Sequence, residues 1–291
     1  MTSVDEAEAT GGLLYGLGND RRSLGVLTDS GYYEMRDKLE LVKVDDAETA
    51  AFIADEFAIP TSVVTLDEGS VLVVDDAGRR WRLPLGPEGY RAPTDNGRLR
   101  ICREVATERD LFSCMGTFYE LPAENADGYA KIRPIASHNY KIEDYASYRG
   151  MLVMTGVNPE DGHYNPHIIR SDDKKAAVWV GTIDDLWTLG KPRGEGGPWK
   201  NSKVHAGEYS DPYLIAFYDK KKLTIEHNSA TTVNVTVEID PTGCGDWMEY
   251  QVLSVEANTK SEFVFPDAFQ AKWVRMKTDA DTYITTWFVY E

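Results

Sequence analysis

The feature that most constrains this sequence is its punctuation. Short apolar runs are cut, at intervals of about four to eight residues, by clusters of Asp, Asn and Gly. Leu13-Leu14-Tyr15-Gly16-Leu17-Gly18 gives way to Asn19-Asp20-Arg21-Arg22, then residues 23–28, then the turn Asp29-Ser30-Gly31 before Tyr32-Tyr33-Glu34-Met35. Runs this short cannot carry a helical period, and the residues at the breaks are those that bend a backbone cheaply, so the pattern predicts antiparallel hairpins. The rhythm resumes at 62–66, breaks at Asp67-Glu68-Gly69, runs through 70–74, breaks at Asp75-Asp76-Ala77-Gly78 and ends on the alternating Arg79-Arg80-Trp81-Arg82-Leu83. Three strands joined by two tight turns form a meander. It recurs at 151–154, 167–170 and 176–180, and again at 213–217 with 222–226.

Meanders returning every few tens of residues predict propeller-like blades. The tail differs: Val233, Val235, Val237 and Ile239 alternate with polar residues, and further strands follow at 247–255, 261–265, 272–277 and 283–290. The expected fold class is all-β: propeller-like antiparallel blades over 11–229, and a sandwich-like segment or closing blade over 230–291. Residues 1–10 are read as a disordered tail. One helix interrupts the strands at 45–58, with Asp45 or Asp46 as its cap, Ala50, Ile53, Ala54 and Phe57 as its apolar stripe, and Pro60 after its end.

Composition sets limits on function. The formal net charge is −17, which repels a phosphate backbone, and the densest basic run, Lys220-Lys221-Lys222, reads as a solvated turn. No nucleic-acid partner is expected. No run approaches the ~20 apolar residues of a membrane span, and the acidic start lacks a signal-peptide core. The chain is therefore read as cytoplasmic, or as a leaderless form of a secreted protein. Cys102, Cys114 and Cys244 are too few and too scattered for a disulfide scaffold or a zinc site, leaving one bridge with one free thiol as an open alternative. His163 and His167 stand four apart, but Pro166 disfavours the helix that would align them on a metal. No metal or cofactor is expected. The 16 Tyr, 7 Trp and 9 Phe suit strands, and exposed members would also suit sugar rings, whose C–H faces pack on aromatic planes.

Two polar segments carry the candidate chemistry. Around 132–145, Arg133, His138, Tyr140 and Asp144 gather the residue types of a base, an acid and a charge clamp. From Gly190 to Tyr213, a Gly-rich stretch reads as a long loop bearing Trp199, His205, Glu208 and Asp211. His138, Tyr140 and Asp211 are the candidate catalytic groups. Arg133, Asp144, Trp199, His205 and Glu208 are the candidate substrate contacts, with Trp199 stacking on a sugar. Paired carboxylates would serve a glycoside hydrolase, and a His or Tyr base with Arg would serve a polysaccharide lyase. The plainer readings are a hydrogen-bonded structural histidine and acids that cap turns.

Residues 132–140 with Tyr148-Arg149-Gly150-Met151-Leu152-Val153, the run Trp179-Val180-Gly181-Thr182-Ile183-Asp184-Asp185-Leu186, Gly196-Gly197-Pro198-Trp199 with Ser210-Asp211-Pro212-Tyr213-Leu214, and the closing Ala271-Lys272-Trp273-Val274-Arg275 and Thr285-Thr286-Trp287-Phe288-Val289-Tyr290 carry a resemblance. Over about two thirds of its length the chain resembles the C-terminal part of uncharacterised bacterial β-propeller proteins associated with polysaccharide degradation. The resemblance implies an oligo- or polysaccharide partner and assigns no catalytic residue. Two alternatives stand beside a glycan-active enzyme: a non-catalytic glycan- or protein-binding scaffold module, and a propeller completed as a homo-oligomer through paired strand edges.

Overall fold

The computed structural model describes residues 13–17, 23–56, 64–87, 101–104, 109–138, 140, 142–156 and 165–291. The tail assigned to 1–10, and His163, lie outside them. The chain opens with β1 (Leu13–Leu17), β2 (Ser23–Thr28), β3 (Gly31–Met35), β4 (Leu41–Lys43) and helix α1 (Ala47–Glu56). It continues through β5 (Val64–Leu66), β6 (Val71–Val74), β7 (Arg80–Leu83), β8 (Ile101–Glu104), β9 (Arg109–Cys114), β10 (Thr117–Leu121) and β11 (Arg133–Ser137). Then come β12 (Tyr145–Tyr148), β13 (Met151–Met154), β14 (Ile168–Arg170), β15 (Ala177–Gly181), β16 (Gly194–Val204) and β17 (Tyr213–Leu214). The last six are β18 (Lys221–His227), β19 (Val233–Asp240), β20 (Met248–Val255), β21 (Lys260–Val264), β22 (Trp273–Thr278) and β23 (Thr282–Tyr290). Strands dominate, and no sheet closes on itself among the described residues, so the protein is all-β. Among the described residues, no helix is long and apolar enough to cross a membrane.

The chain divides into two compact units. The first takes its described residues from Met1–Pro60, Ala92–Glu120 and His138–Gly190. It holds the meander β1-β2-β3-β4, the neighbouring strands β8, β9 and β10, and the sheet β12-β13-β15-β14. Leu14, Val26, Tyr33 and Met35 from the first sheet share one buried core with Tyr148, Val153 and Val178 from the last. Helix α1 covers the opposite face of the first sheet. Ile53 packs with Tyr32, Ala50 and Leu27 there, and its full burial contributes roughly 2 kcal/mol. The helix starts where its cap places it: Asp46 Oδ1 accepts the Thr49 amide at 3.0 Å and its Oδ2 accepts the Thr49 hydroxyl at 2.7 Å. Gly25 lets the helix sit close, since a Cβ there would lie 3.0 Å from Ile53 Cδ1. Of the expected apolar stripe, Ala54 is exposed and Phe57 lies outside the described residues.

The second unit takes its described residues from Thr61–Arg91, Leu121–Ser137 and Lys191–Glu291, and its strands other than β11 form two packed sheets. Seven strands run in the order β20-β19-β22-β17-β7-β6-β5 and four in the order β16-β23-β18-β21. Among the described residues, the pairings within these two sheets are antiparallel except β7 with β17, which run parallel at Arg82 and Tyr213. The sheets meet through aromatics: the Tyr213 ring stacks on Phe288 at 5.1 Å, and Tyr290 donates its hydroxyl to the Leu214 carbonyl at 2.9 Å. Val233, Val235 and Val237 are buried on one face of β19, as their alternation predicts.

Two local expectations are corrected. The Gly-rich stretch is not a loop, because Gly194–Val204 is an eleven-residue strand. Its glycines serve close approach rather than flexibility: a Cβ on Gly197 would fall 1.8 Å from the Thr286 carbonyl oxygen of β23. The lysine run is not a solvated turn throughout. Lys221 is buried at the start of β18 and donates to the carbonyls of Tyr218 at 2.5 Å and Phe269 at 3.1 Å.

Candidate functional site

The first unit holds three of the candidate residues. His138 is buried; its amide donates to the Gly116 carbonyl at 2.8 Å, and its Nδ1 accepts the Tyr140 amide at 3.2 Å. Its ring lies 5.0 Å from Phe118 and 6.3 Å from the nearly parallel Tyr140, so the structure does bring His138 and Tyr140 together. Asp144 is buried as well. Its Oδ2 accepts the Leu14 amide of β1 at 2.7 Å and its Oδ1 accepts the Tyr145 amide at 2.8 Å. Tyr145 continues this stapling, with its hydroxyl accepting from the Ser113 amide and donating to the Leu111 carbonyl, both at 2.9 Å.

The other five residues belong to the second unit. Asp211 stands just before β17 and is clasped by two guanidinium groups. Arg80 Nε and Nη2 donate to its two oxygens at 2.9 and 3.1 Å, and Arg82 Nε donates at 2.8 Å. Arg82 also reaches Asp67 and Ser70. Burial pushes the Asp211 carboxyl upward, but the hydrogen bonds and charges of Arg80 and Arg82 outweigh it and hold the group below the ordinary carboxylate range. Trp199 is buried within β16, which corrects the expectation that its ring is presented to a sugar. His205 and Glu208 are exposed in one turn, where the Glu208 amide donates to the His205 carbonyl and His205 Nδ1 lies 3.3 Å from Asp281. Arg133 lies over the Phe217 ring at 5.8 Å.

Among the described residues, a dense constellation at the surface, centred on the buried Glu238, is one that sequence reasoning missed. On β19, alternation turns Glu238 away from the valine face, and the β19–β22 register sets it opposite Arg275, with Lys277 opposite Thr236. The chain before β17 is hooked alongside β22 by Ser210, whose amide donates to the Met276 carbonyl and whose hydroxyl accepts the Met276 amide. That hook places Tyr209 beside both cations. Glu238 accepts from Arg275 Nε at 2.9 Å and Nη2 at 2.8 Å, from Lys277 at 3.1 Å, and from the Tyr209 hydroxyl at 2.8 Å. Arg275 lies over the rings of Tyr209 at 3.9 Å and Trp247 at 4.3 Å. Lys277 donates to the Tyr209 hydroxyl at 2.7 Å.

Burial would raise the Glu238 carboxyl, but the donors from Arg275, Tyr209 and Lys277 prevail and hold it below the ordinary carboxylate range. The rings remain accessible: Tyr209 is 41% exposed and Trp247 half-buried. Such a cluster offers aromatic surface, fixed donors and a fixed acceptor. Its carboxylate is fully engaged, which suits recognition rather than proton transfer. Only one part of this site was visible in sequence, since Tyr209 lies within the polar stretch 205–213. Its partners come from strands whose register the sequence does not state.

Among the described residues, no three His, Cys, Asp or Glu side chains gather as a metal-binding group. His167 instead bonds the Val180 carbonyl through Nδ1 at 2.9 Å and stacks on Trp179. Cys114 and Cys244 are free thiols.

No protein-family model matches the chain, and no curated protein is similar to it in sequence. Among solved structures, it is similar to a glycoside hydrolase family 43 arabinoxylan arabinofuranohydrolase from Bacillus subtilis in complex with cellotetraose. That match has 10% identity and a TM-score of 0.24, over 92% of this chain and 87% of the other. A family 32 β-fructofuranosidase of Bombyx mori matches at 9% identity and a TM-score of 0.20, over 97% of this chain and 79% of the other. The protein PirA matches at 12% identity and a TM-score of 0.21, over 34% of this chain and 84% of the other. Superpositions this poor carry no argument about the chain, and its functional reading rests on its own residues.

Proposed function

We propose that the protein is glycan-directed and recognises a neutral oligo- or polysaccharide on the outward face of the seven-stranded sheet. The observation that carries this reading is the pair of accessible rings, Tyr209 and Trp247, framed by Arg275, Lys277 and Glu238. Sugar rings present C–H faces to aromatic planes and hydroxyls to fixed polar groups, and both kinds of partner are present here. A neutral ligand is favoured because the cations are matched locally: Glu238 binds both, and Glu249 stands opposite Glu238 across the β19–β20 pairing.

In this reading the three sheets of the first unit are propeller-like blades, with β1, β8 and β12 as the strands nearest the neighbouring sheets. No acid–base step is assigned to His138, Tyr140 or Asp211. His138 is buried beside Tyr140, and Arg133, Asp144, Trp199, His205 and Glu208 are given no substrate contact in this reading. The test is a panel of neutral and uronate-bearing oligosaccharides, followed by calorimetry for binding and by chromatography for released product. The expected result is binding of neutral glycans without turnover, weakened about tenfold or more in Tyr209→Ala and Trp247→Ala. Product release would replace the reading with hydrolase or lyase activity, and silence across the panel would overturn it.

A further inference from the structure

The opposite face of the sandwich repeats the same chemistry at an independent place. In the four-stranded sheet, β23 is an interior strand, flanked by β16 and β18. Its residues Ile284, Thr286, Phe288 and Tyr290 are buried; of the alternate set, Tyr283 is exposed, Trp287 and Val289 are partly covered, and Thr285 between the two rings is buried, its hydroxyl accepting the Asn201 amide at 2.9 Å. An interior strand has no need of large aromatics on its solvent side, yet Tyr283 is 45% exposed and Trp287 only partly covered. Trp287 is framed as Trp247 is. Its indole N–H points to Glu195 Oε2 at 3.4 Å, and Lys200 Nζ lies 4.4 Å from its ring. The register of β23 with β18 is unbroken from Lys221↔Tyr290 to His227↔Ile284, whereas its pairing with β16 shifts between Gly196 and Trp199 and again between Trp199 and Ser202, before Lys203 pairs with Tyr283. Tyr283 and Trp287 are four residues apart on one face, or about 13 Å at ~3.4 Å per residue. That spacing matches a short extended oligosaccharide rather than a single ring.

We infer that Tyr283 and Trp287 form a second glycan-contacting platform, which makes the sandwich bivalent. The occupant is a neutral, extended oligosaccharide, because one charge of each sign stands at Trp287, Lys200 over its ring and Glu195 at its indole N–H, and on the adjacent β18 Lys222, opposite Val289, pairs with Glu262 at 3.8 Å. Two platforms on opposite faces would hold separate stretches of polysaccharide. The inference rests on the glycan-directed reading, and the experiment separates the two.

The probes are xylohexaose and cellohexaose, titrated calorimetrically into the full chain. Binding of two oligosaccharides per chain is expected, reduced to one by Tyr209→Ala with Trp247→Ala and to one by Tyr283→Ala with Trp287→Ala. One site that survives the Tyr283/Trp287 pair and is lost with the Tyr209/Trp247 pair overturns the second platform and leaves the first reading standing. One site lost only with the Tyr283/Trp287 pair overturns bivalency and the first assignment together. No binding of either probe overturns the second platform as stated, and the wider panel then decides the first reading. If a variant fails to fold, oxidation of the wild-type indoles by N-bromosuccinimide, mapped by mass spectrometry, gives the same answer. Hexasaccharide should protect Trp247 and Trp287, while Trp187, 69% exposed in the first unit, serves as the unprotected control. Trp287 oxidised at the same rate with and without ligand would overturn the platform.

Discussion

Replacing Glu238 by glutamine or alanine tests the exposed cluster where it is most tightly knit. The carboxylate side chain is only 11% exposed and accepts four hydrogen bonds, from Arg275 twice, Lys277 and Tyr209. Hydrogen bonds to a charged group are each worth about 1.5–3 kcal/mol, but Arg275 and Lys277 are 23% and 31% exposed and regain water when the acceptor is gone. The net cost of Glu238→Ala should therefore be about 2–3 kcal/mol, well below the sum of the bonds. Glu238→Gln, which keeps one acceptor oxygen and loses the charge, should cost about 1 kcal/mol.

The pH dependence follows from the direction of the shift. The carboxyl is held below its ordinary 4.5, so the stability it contributes is full above pH 4.5 and is lost as pH falls through the lower folded value. Glutamine has no such component. Urea unfolding at pH 7 and at steps from about pH 5 to about pH 3 should show the wild-type advantage over Glu238→Gln shrinking in acid. An advantage that stays constant across the range, or a Glu238→Ala chain within about 0.5 kcal/mol of wild type, would refute the argument that this carboxylate organises the site.

Three further outcomes follow from the packing. Gly197→Ala would drive a methyl into the Thr286 carbonyl and should cost about 3 kcal/mol or more, or abolish soluble expression. Gly207→Ala, at φ +79° in open space, should cost only about 1 kcal/mol in the same denaturation assay. Asp144→Ala leaves the Leu14 and Tyr145 amides without their buried acceptor and should cost about 2–4 kcal/mol, with faster hydrogen exchange at Leu14; unchanged exchange would contradict the staple. Asp211→Asn should destabilise the second unit by about 1–2 kcal/mol by loosening Arg80 and Arg82, while oligosaccharide affinity stays unchanged; lost affinity at full stability would return Asp211 to the binding site.

Sequence was most informative where the pattern is local. The alternation at 231–240 identified both the strand and its buried face, and the pair Asp45-Asp46 marked the helix start, with Asp46 making the cap, because capping involves only neighbouring residues. The turn at Asp67-Glu68-Gly69 was visible for the same reason: Asp67 Oδ1 accepts the Gly69 and Ser70 amides at 2.8 Å. Long-range relations were hidden. Glycine has two uses, mobility and closeness, and only the partner strand β23 shows that Gly197 serves the second. The burial of Lys221 likewise depends on the Phe269 carbonyl, 48 residues away. The candidate site suffered most, because Tyr209, Glu238, Trp247 and Arg275 meet only once the register of β19 against β22 is set. A shift of one residue would send Glu238 into the valine core.

The parallel contact between β7 and β17 bears on how the protein is made. Strands β5 to β7 leave the ribosome early, but the edge of β7 has no sheet partner until β17 follows about 130 residues later, a delay of roughly ten seconds at ~5–20 residues per second. During that interval the β5–β7 hairpins expose an unpaired edge with Trp81 beside it, a template for mispairing with another nascent chain. The charged side chains of Arg80 and Arg82 lie along that same edge. In the folded protein both bind Asp211, and unpaired charge beside an open edge disfavours mispairing, so substituting both with apolar residues should lower the yield of soluble protein even where the finished fold tolerates the change.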